Sequence, residues 1–131
     1  MRVLLDTNAY VAFCQGHRGV VDVVANADVV VMSTVVLGEL LYGFRHGSRY
    51  NQNLGILESF LAEPDVTILS VSYATAGRFG SILATLRAVG RPIPTNDVWI
   101  AAHAMEAHAS LVSFDAHFRH VDGLDLVEPV V

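Results

Sequence analysis

Asp6, Glu39, Asp97 and Asp115 lie in four separated segments, VLLDTN (3–8), VVLGELLYG (35–43), TNDVWIAAHA (95–104) and VSFDAHF (112–118). Each acid stands where an expected strand ends or an expected helix begins. In a parallel α/β sheet such positions collect along one edge, where ligands bind beyond the carboxyl ends of the strands. Carboxylates distant in sequence thereby come to share a pocket. Gathering them is unfavourable: two ionised carboxylates about 5 Å apart repel by roughly 3 kcal/mol at an effective dielectric near 20. A fold that does so raises their pKa values or holds a divalent cation between them. Hard cations prefer carboxylate oxygens, and a bound ion acidifies water and can aim it at a phosphodiester. The chemistry expected is phosphodiester hydrolysis assisted by Mg²⁺, with Mn²⁺ as the alternative ion.

The elements that must position these acids follow from pattern. Val3–Leu5 is a short apolar run that reads as a buried strand ending at Asp6. Thr7–Cys14 reads as a short helix broken by Gly16 and Gly19, and Val20–Ala27 as a further helical piece before strand Val29–Met32. Ser33 or Thr34 can cap a helix that closes at Gly47; Val36, Leu37, Leu40, Leu41 and Phe44 keep helical spacing, with Glu39 off that stripe. A helix over 51–61 ends before Pro64, and Val66–Leu69 is the next strand. Ser72 should cap a helix Tyr73–Val89, stopped by Gly90, Pro92 and Pro94. Thr95 or Asn96 is expected to cap the alanine-rich helix that carries Asp97. Leu111–Phe114 reads as a strand, Ala116–Arg119 as a helical turn and Leu126–Val127 as an edge strand. Alternating strands and helices imply a three-layer α/β/α fold with a short, mostly parallel central sheet.

The 131 residues suffice for one domain over 1–131, with no linker or repeat. At 53% hydrophobic and 16% charged, the chain is too apolar for disorder and leans toward burying surface against a partner. Its most apolar stretch, 29–44, is interrupted by Ser33, Thr34, Gly38 and Glu39 and falls short of about 20 apolar residues, so no membrane span is expected. The run after Arg2 ends at Asp6, too short for a signal peptide, and a cytoplasmic location is the default. The single Cys14 agrees with a reducing compartment and is expected to be a small buried hydrophobe. A net charge of −5 argues against plain electrostatic nucleic-acid binding, but two divalent ions would add about four positive charges where the acids cluster. All eight basic residues are arginine, whose forked guanidinium suits phosphate.

Taken in order, LLDTN, the GEL segment at Glu39, NDVWIAA, and FDAHF followed by GLDLVE resemble the PIN domain family, specifically the VapC-type toxins of toxin–antitoxin pairs. The resemblance covers essentially the whole chain. It implies a Mg²⁺- or Mn²⁺-dependent endoribonuclease leaving 5′-phosphate and 3′-hydroxyl ends. Asp6, Glu39, Asp97 and Asp115 match the family's acidic positions; Asp6, Asp97 and Asp115 would hold metal and Glu39 would position or deprotonate the attacking water. Some members carry asparagine at the last acidic position. Thr7, Asn8 and Asn96 match supporting polar positions that orient carboxylates or water. The resemblance also implies an RNA substrate, a homodimer, and a cognate antitoxin through which alone the toxin meets DNA. Helical segments 34–47 and 50–62 are expected to form the antitoxin groove.

Plainer readings stand beside these. An aspartate after a strand is ordinarily a cap or turn former; four together, with Glu39 off an apolar helical face, favour chemistry. His117 and His120 share no zinc pattern and read as rim residues, and His103 as a packed, satisfied histidine. A catalytically inactive PIN-like binding module is the nearer rival. A Mg²⁺-binding receiver domain is the more distant one, and it needs a lysine that this chain lacks.

Overall fold

A computed structural model describes residues 1–130. The chain runs β1 (Arg2–Leu5), α1 (Thr7–Cys14), α2 (Arg18–Ala25), β2 (Val29–Ser33), α3 (Thr34–His46), α4 (Tyr50–Leu61), β3 (Val66–Leu69), α5 (Tyr73–Ala88), α6 (Thr95–Glu106), β4 (Ser110–Val112), a 3-10 turn (Ala116–His120) and β5 (Leu126–Val127). The five strands form one sheet in the order β3-β2-β1-β4-β5, and every neighbouring pair is parallel. The sheet is thus wholly rather than mostly parallel.

Right-handed crossovers require helices on both faces of such a sheet, because the strand order moves from β1 to β3 and then reverses through β4. Helices α1–α4 therefore lie on one face and α5–α6 on the other, giving three layers. Val3, Leu4 and Leu5 of β1 and Leu111 and Val112 of β4 are fully buried, the apolar runs demanded of strands covered on both sides. On α6, Ala101, Ala102 and Ala104 are buried, and their small side chains let the helix approach the sheet closely.

Helix starts are fixed by side chains as well as by packing. Ser33 accepts a hydrogen bond from the Val35 N–H, and Ser72 forms a reciprocal capping box with Thr75. Helix α6 departs from expectation: Pro94 occupies the capping position and neither Thr95 nor Asn96 caps it. Proline's fixed φ suits a helix entry, which frees both following polar side chains for other contacts. Strand β4 ends at Val112, so Phe114 lies beyond it and is exposed, and Asp115 follows the strand by three residues rather than directly. Cys14 is exposed rather than buried, because it sits on the last turn of α1, away from the sheet.

Candidate active site

The strand order reverses between β1 and β4, and such a reversal leaves a crevice at the carboxyl ends of the two strands. Leu5 pairs with Val112, and the Asp6 N–H donates to the Val112 carbonyl at 3.3 Å, so the two strands end together. Asp6 leaves β1 at this point, and Asp115 arrives from β4 on the adjacent loop. A cavity of about 530 Å³ opens there, lined by Asp6, Glu39, Asp97 and Asp115 together with Thr7, Asn8 and Asn96.

Asp6 is only 7% exposed. Its Oδ1 accepts the Ala9 N–H at 2.9 Å, capping α1, and its Oδ2 accepts the Ser113 hydroxyl at 2.5 Å. Ser113 Oγ in turn accepts the Asp115 N–H at 3.0 Å. One fully buried hydroxyl thus ties the carboxylate after β1 to the backbone that presents the carboxylate after β4. Glu39 is held from two directions. Thr7 Oγ1 donates to its Oε1 at 2.6 Å, and Asn96 Nδ2 donates to its Oε2 at 3.4 Å. Asp97 stands in the first turn of α6, where the helix dipole favours an ionised carboxylate.

The electrostatics are those of crowded anions. Burial raises the pKa of Asp6 above the usual carboxylate value; its hydrogen bonds to Ser113 and Ala9 oppose the rise, and the charges of Asp97 and Asp115 add to it. Asp97 is raised as well, chiefly by burial. The nearby His117 works against that rise, and Glu39 and Asp115 reinforce it. Among the described residues, no arginine lines this cavity. The charge imbalance is of the kind a cation relieves.

The residues also fit a divalent ion by donor chemistry. Asp97, Asp115 and His117 each offer a ligand atom, all within 4.8 Å of one another. His117 Nε2 lies 2.9 Å from Asp97 Oδ2 and Nδ1 lies 3.4 Å from Asp115 Oδ1. Nε2 is shielded from solvent against Asp97. His117 is therefore no rim residue: the 3-10 turn carries its ring between the two carboxylates.

A PIN domain model matches residues 3–124. The chain belongs to the PIN domain family. Within it the likeness is to VapC proteins. The chain is 32% identical over 117 residues to ribonuclease VapC2 of Haemophilus influenzae, 86% of each chain. It is 34% identical over 100 residues to the tRNA(fMet)-specific endonuclease VapC of Shigella flexneri, 76% of this chain and 74% of that one. The crystal structure of VapBC2 from Rickettsia felis, bound to a DNA fragment from their promoter, superposes with a TM-score of 0.85 at 28% identity over 97% of this chain and 98% of that one. The chain is accordingly a VapC-type PIN domain with a candidate divalent-metal centre.

Two members of this PIN site were missed in sequence. Ser113 has a faint signal, a small hydroxyl two residues before Asp115, but nothing local says that it reaches back to β1. His117 follows Asp115 by two residues in FDAHF, and only the tight 3-10 turn aims it inward. Asn8, expected to orient carboxylates, lines the cavity but hydrogen-bonds none of them, whereas Thr7 and Asn96 both contact Glu39. His103 is a fully buried, packed histidine, with Nδ1 2.7 Å from Ser33 Oγ and the Ser70 backbone as a further hydrogen-bond partner.

Proposed function

We propose that this PIN domain is the toxin of a toxin–antitoxin pair and cleaves RNA as a Mg²⁺- or Mn²⁺-dependent endoribonuclease. The observation that carries this reading is the convergence of four carboxylates from four separate elements on one cleft in a VapC-type chain. A divalent ion held by Asp6, Asp97 and Asp115 would supply Lewis acidity and an acidified water to a phosphodiester. The chain's own groups do the rest. Glu39, with both oxygens fixed by Thr7 and Asn96, is placed to accept a proton from the attacking water. Asp6, locked by Ala9 and Ser113, presents its carboxylate without reorganisation, the condition under which electrostatic preorganisation is effective.

Partners follow from the surface. A groove of about 610 Å³ between α1, α3 and α4 is lined by Val11, Leu40, Phe44, Arg49, Gln52 and Ile56 among others, and Glu39 and Thr7 border both it and the acidic cleft. We assign the cognate antitoxin to this groove, from which a bound segment reaches the carboxylates; DNA is met only through that antitoxin. Exposed Val71 and Tyr73, at the start of α5, support a homodimer. No helix among the described residues is long and apolar enough to cross a membrane, which accords with action on RNA in the cytoplasm.

The test is cleavage of total RNA by purified protein in Mg²⁺, with Asp6→Asn and Glu39→Gln as controls. Cleaved products with 5′-phosphate ends that vanish in EDTA and in both variants are expected. Equal cleavage by wild type and Asp6→Asn would overturn the assignment. Antitoxin co-expression should relieve growth arrest and protect amides of α3 and α4 from exchange.

A further inference from the structure

His117 is the one ionisable side chain at the cleft to which carboxylate-based hydrolysis assigns no part. Its placement is specific. The 3-10 turn begins after Asp115, whose side chain makes no capping bond and instead lies 3.4 Å from His117 Nδ1, so the imidazole faces the same niche. Phe118, buried at 1% exposure, anchors that turn in the core, and its ring centroid lies 4.7 Å from that of His117. The imidazole is thus oriented by packing before any ligand arrives.

His117 Nε2, shut off from solvent, faces Asp97 Oδ2 at 2.9 Å, and Nδ1 faces Asp115 Oδ1 at 3.4 Å, so the imidazole sits between the two carboxylates. One ligand atom from each of Asp97, Asp115 and His117 lies within 4.8 Å of the others, a donor set compact enough to close on one ion. Ligands at right angles around one ion, each about 2.1 Å from it, stand about 3.0 Å apart, which matches the 2.9 Å between His117 Nε2 and Asp97 Oδ2.

We propose that His117 is a ligand of the ion held by Asp97 and Asp115, and that this nitrogen donor makes the centre selective for Mn²⁺ over Mg²⁺. The inference rests on the reading above only in taking a divalent ion to occupy the acidic cleft. Mg²⁺ demands oxygen ligands and keeps several waters, whereas imidazole suits the first-row transition ions. A site of carboxylates alone discriminates poorly between the two. Adding one imidazole from the 3-10 turn shifts the preference toward the softer ion.

The decisive measurement is pulsed EPR of the full-length protein loaded with Mn²⁺. Wild-type protein is expected to show ¹⁴N modulation that converts to the ¹⁵N pattern when only histidine is ¹⁵N-labelled. Because this needs no variant, it does not depend on whether a substituted protein folds. His117→Gln should lose the modulation while still binding Mn²⁺ through its carboxylates. Its Mn²⁺ affinity by calorimetry should fall about tenfold and its Mg²⁺ affinity by no more than about twofold. Bound Mn²⁺ without nitrogen coupling in wild type, or equal losses for both ions in His117→Gln, overturns the proposal. RNA cleavage in Mg²⁺ is scored separately. Nitrogen coordination without cleavage sinks the nuclease reading and leaves this one standing; cleavage without nitrogen coupling does the reverse.

Discussion

Replacing Asp6 with asparagine should stabilise the metal-free protein and at the same time abolish its response to divalent ions. The substitution is nearly isosteric; the Ala9 bond survives, and the Ser113 bond survives with its direction reversed. The amide oxygen accepts the Ala9 N–H, and the amide nitrogen donates to Ser113 Oγ, whose second lone pair still receives the Asp115 N–H. Exchanging a charge-assisted bond for a neutral one, and turning the buried Ser113 hydroxyl proton away from its acceptor, forfeits about 1–2 kcal/mol. Against this, a buried anion disappears from beside Asp97 and Asp115. Desolvation of the buried carboxylate is the largest part of that relief. Repulsion from its neighbours adds at most roughly 3 kcal/mol, the figure for one pair about 5 Å apart at an effective dielectric near 20. Asp115 is 52% exposed, so solvent screens much of its share. A net gain of about 1–2 kcal/mol remains, equivalent to a rise of about 4–8 °C in Tm for a domain of this size. Thermal melts in EDTA at pH 7.5, repeated with Mn²⁺, read both halves. Wild type with Mn²⁺ at about 100 times its Kd should gain about 2.7 kcal/mol, and Asp6→Asn little or none of it. A variant that melts lower than wild type in EDTA yet keeps the full Mn²⁺ shift would refute both the crowding of anions and the role of Asp6 as a metal ligand.

Other consequences are equally open to measurement. Ser113→Ala strips a donor from Asp6 and an acceptor from the Asp115 N–H; urea unfolding should show a loss of about 1–3 kcal/mol, together with weaker Mn²⁺ binding. Thr7→Val removes the 2.6 Å hydrogen bond to Glu39 and should slow RNA cleavage about tenfold while shifting stability by less than about 1 kcal/mol. The pH dependence has a definite sign. Asp6 and Asp97 have folded pKa values raised above the ordinary 3.8, so the unfolded chain gives up these protons more readily. Their contribution to stability is fullest below pH 3.8 and is lost as pH rises through the folded values. In EDTA, the slope of stability against pH should therefore be less negative for Asp6→Asn than for wild type over that interval, and saturating Mn²⁺ should restore wild-type stability at neutral pH. Leu111→Ala, in the fully buried β4, should cost about 2–5 kcal/mol by denaturant titration.

Sequence alone determined what local chemistry controls. Strand Val66–Leu69 and edge strand Leu126–Val127 were legible because short apolar runs between turn formers have few alternatives. The caps at Ser33 and Ser72 were legible because a hydroxyl at a helix start acts within three residues. The four acids stood out because carboxylates at strand ends and helix starts carry a positional signal in themselves, and their order and spacing carried the family as well. Tertiary structure decided whatever joins residues distant in the chain. Whether β1 neighbours β4 is a property of strand order, and only that adjacency lets Ser113 hydrogen-bond Asp6 across 107 positions. Pro94 took the cap expected of Thr95 or Asn96, which released Asn96 to reach Glu39. The inward turn of His117 depends on Phe118 being drawn into the core, a packing event that no pattern around FDAHF encodes. Local bonds are made by neighbours and can be read from neighbours; the geometry of the acidic niche is made by the sheet, which exists only once the whole chain has closed on itself.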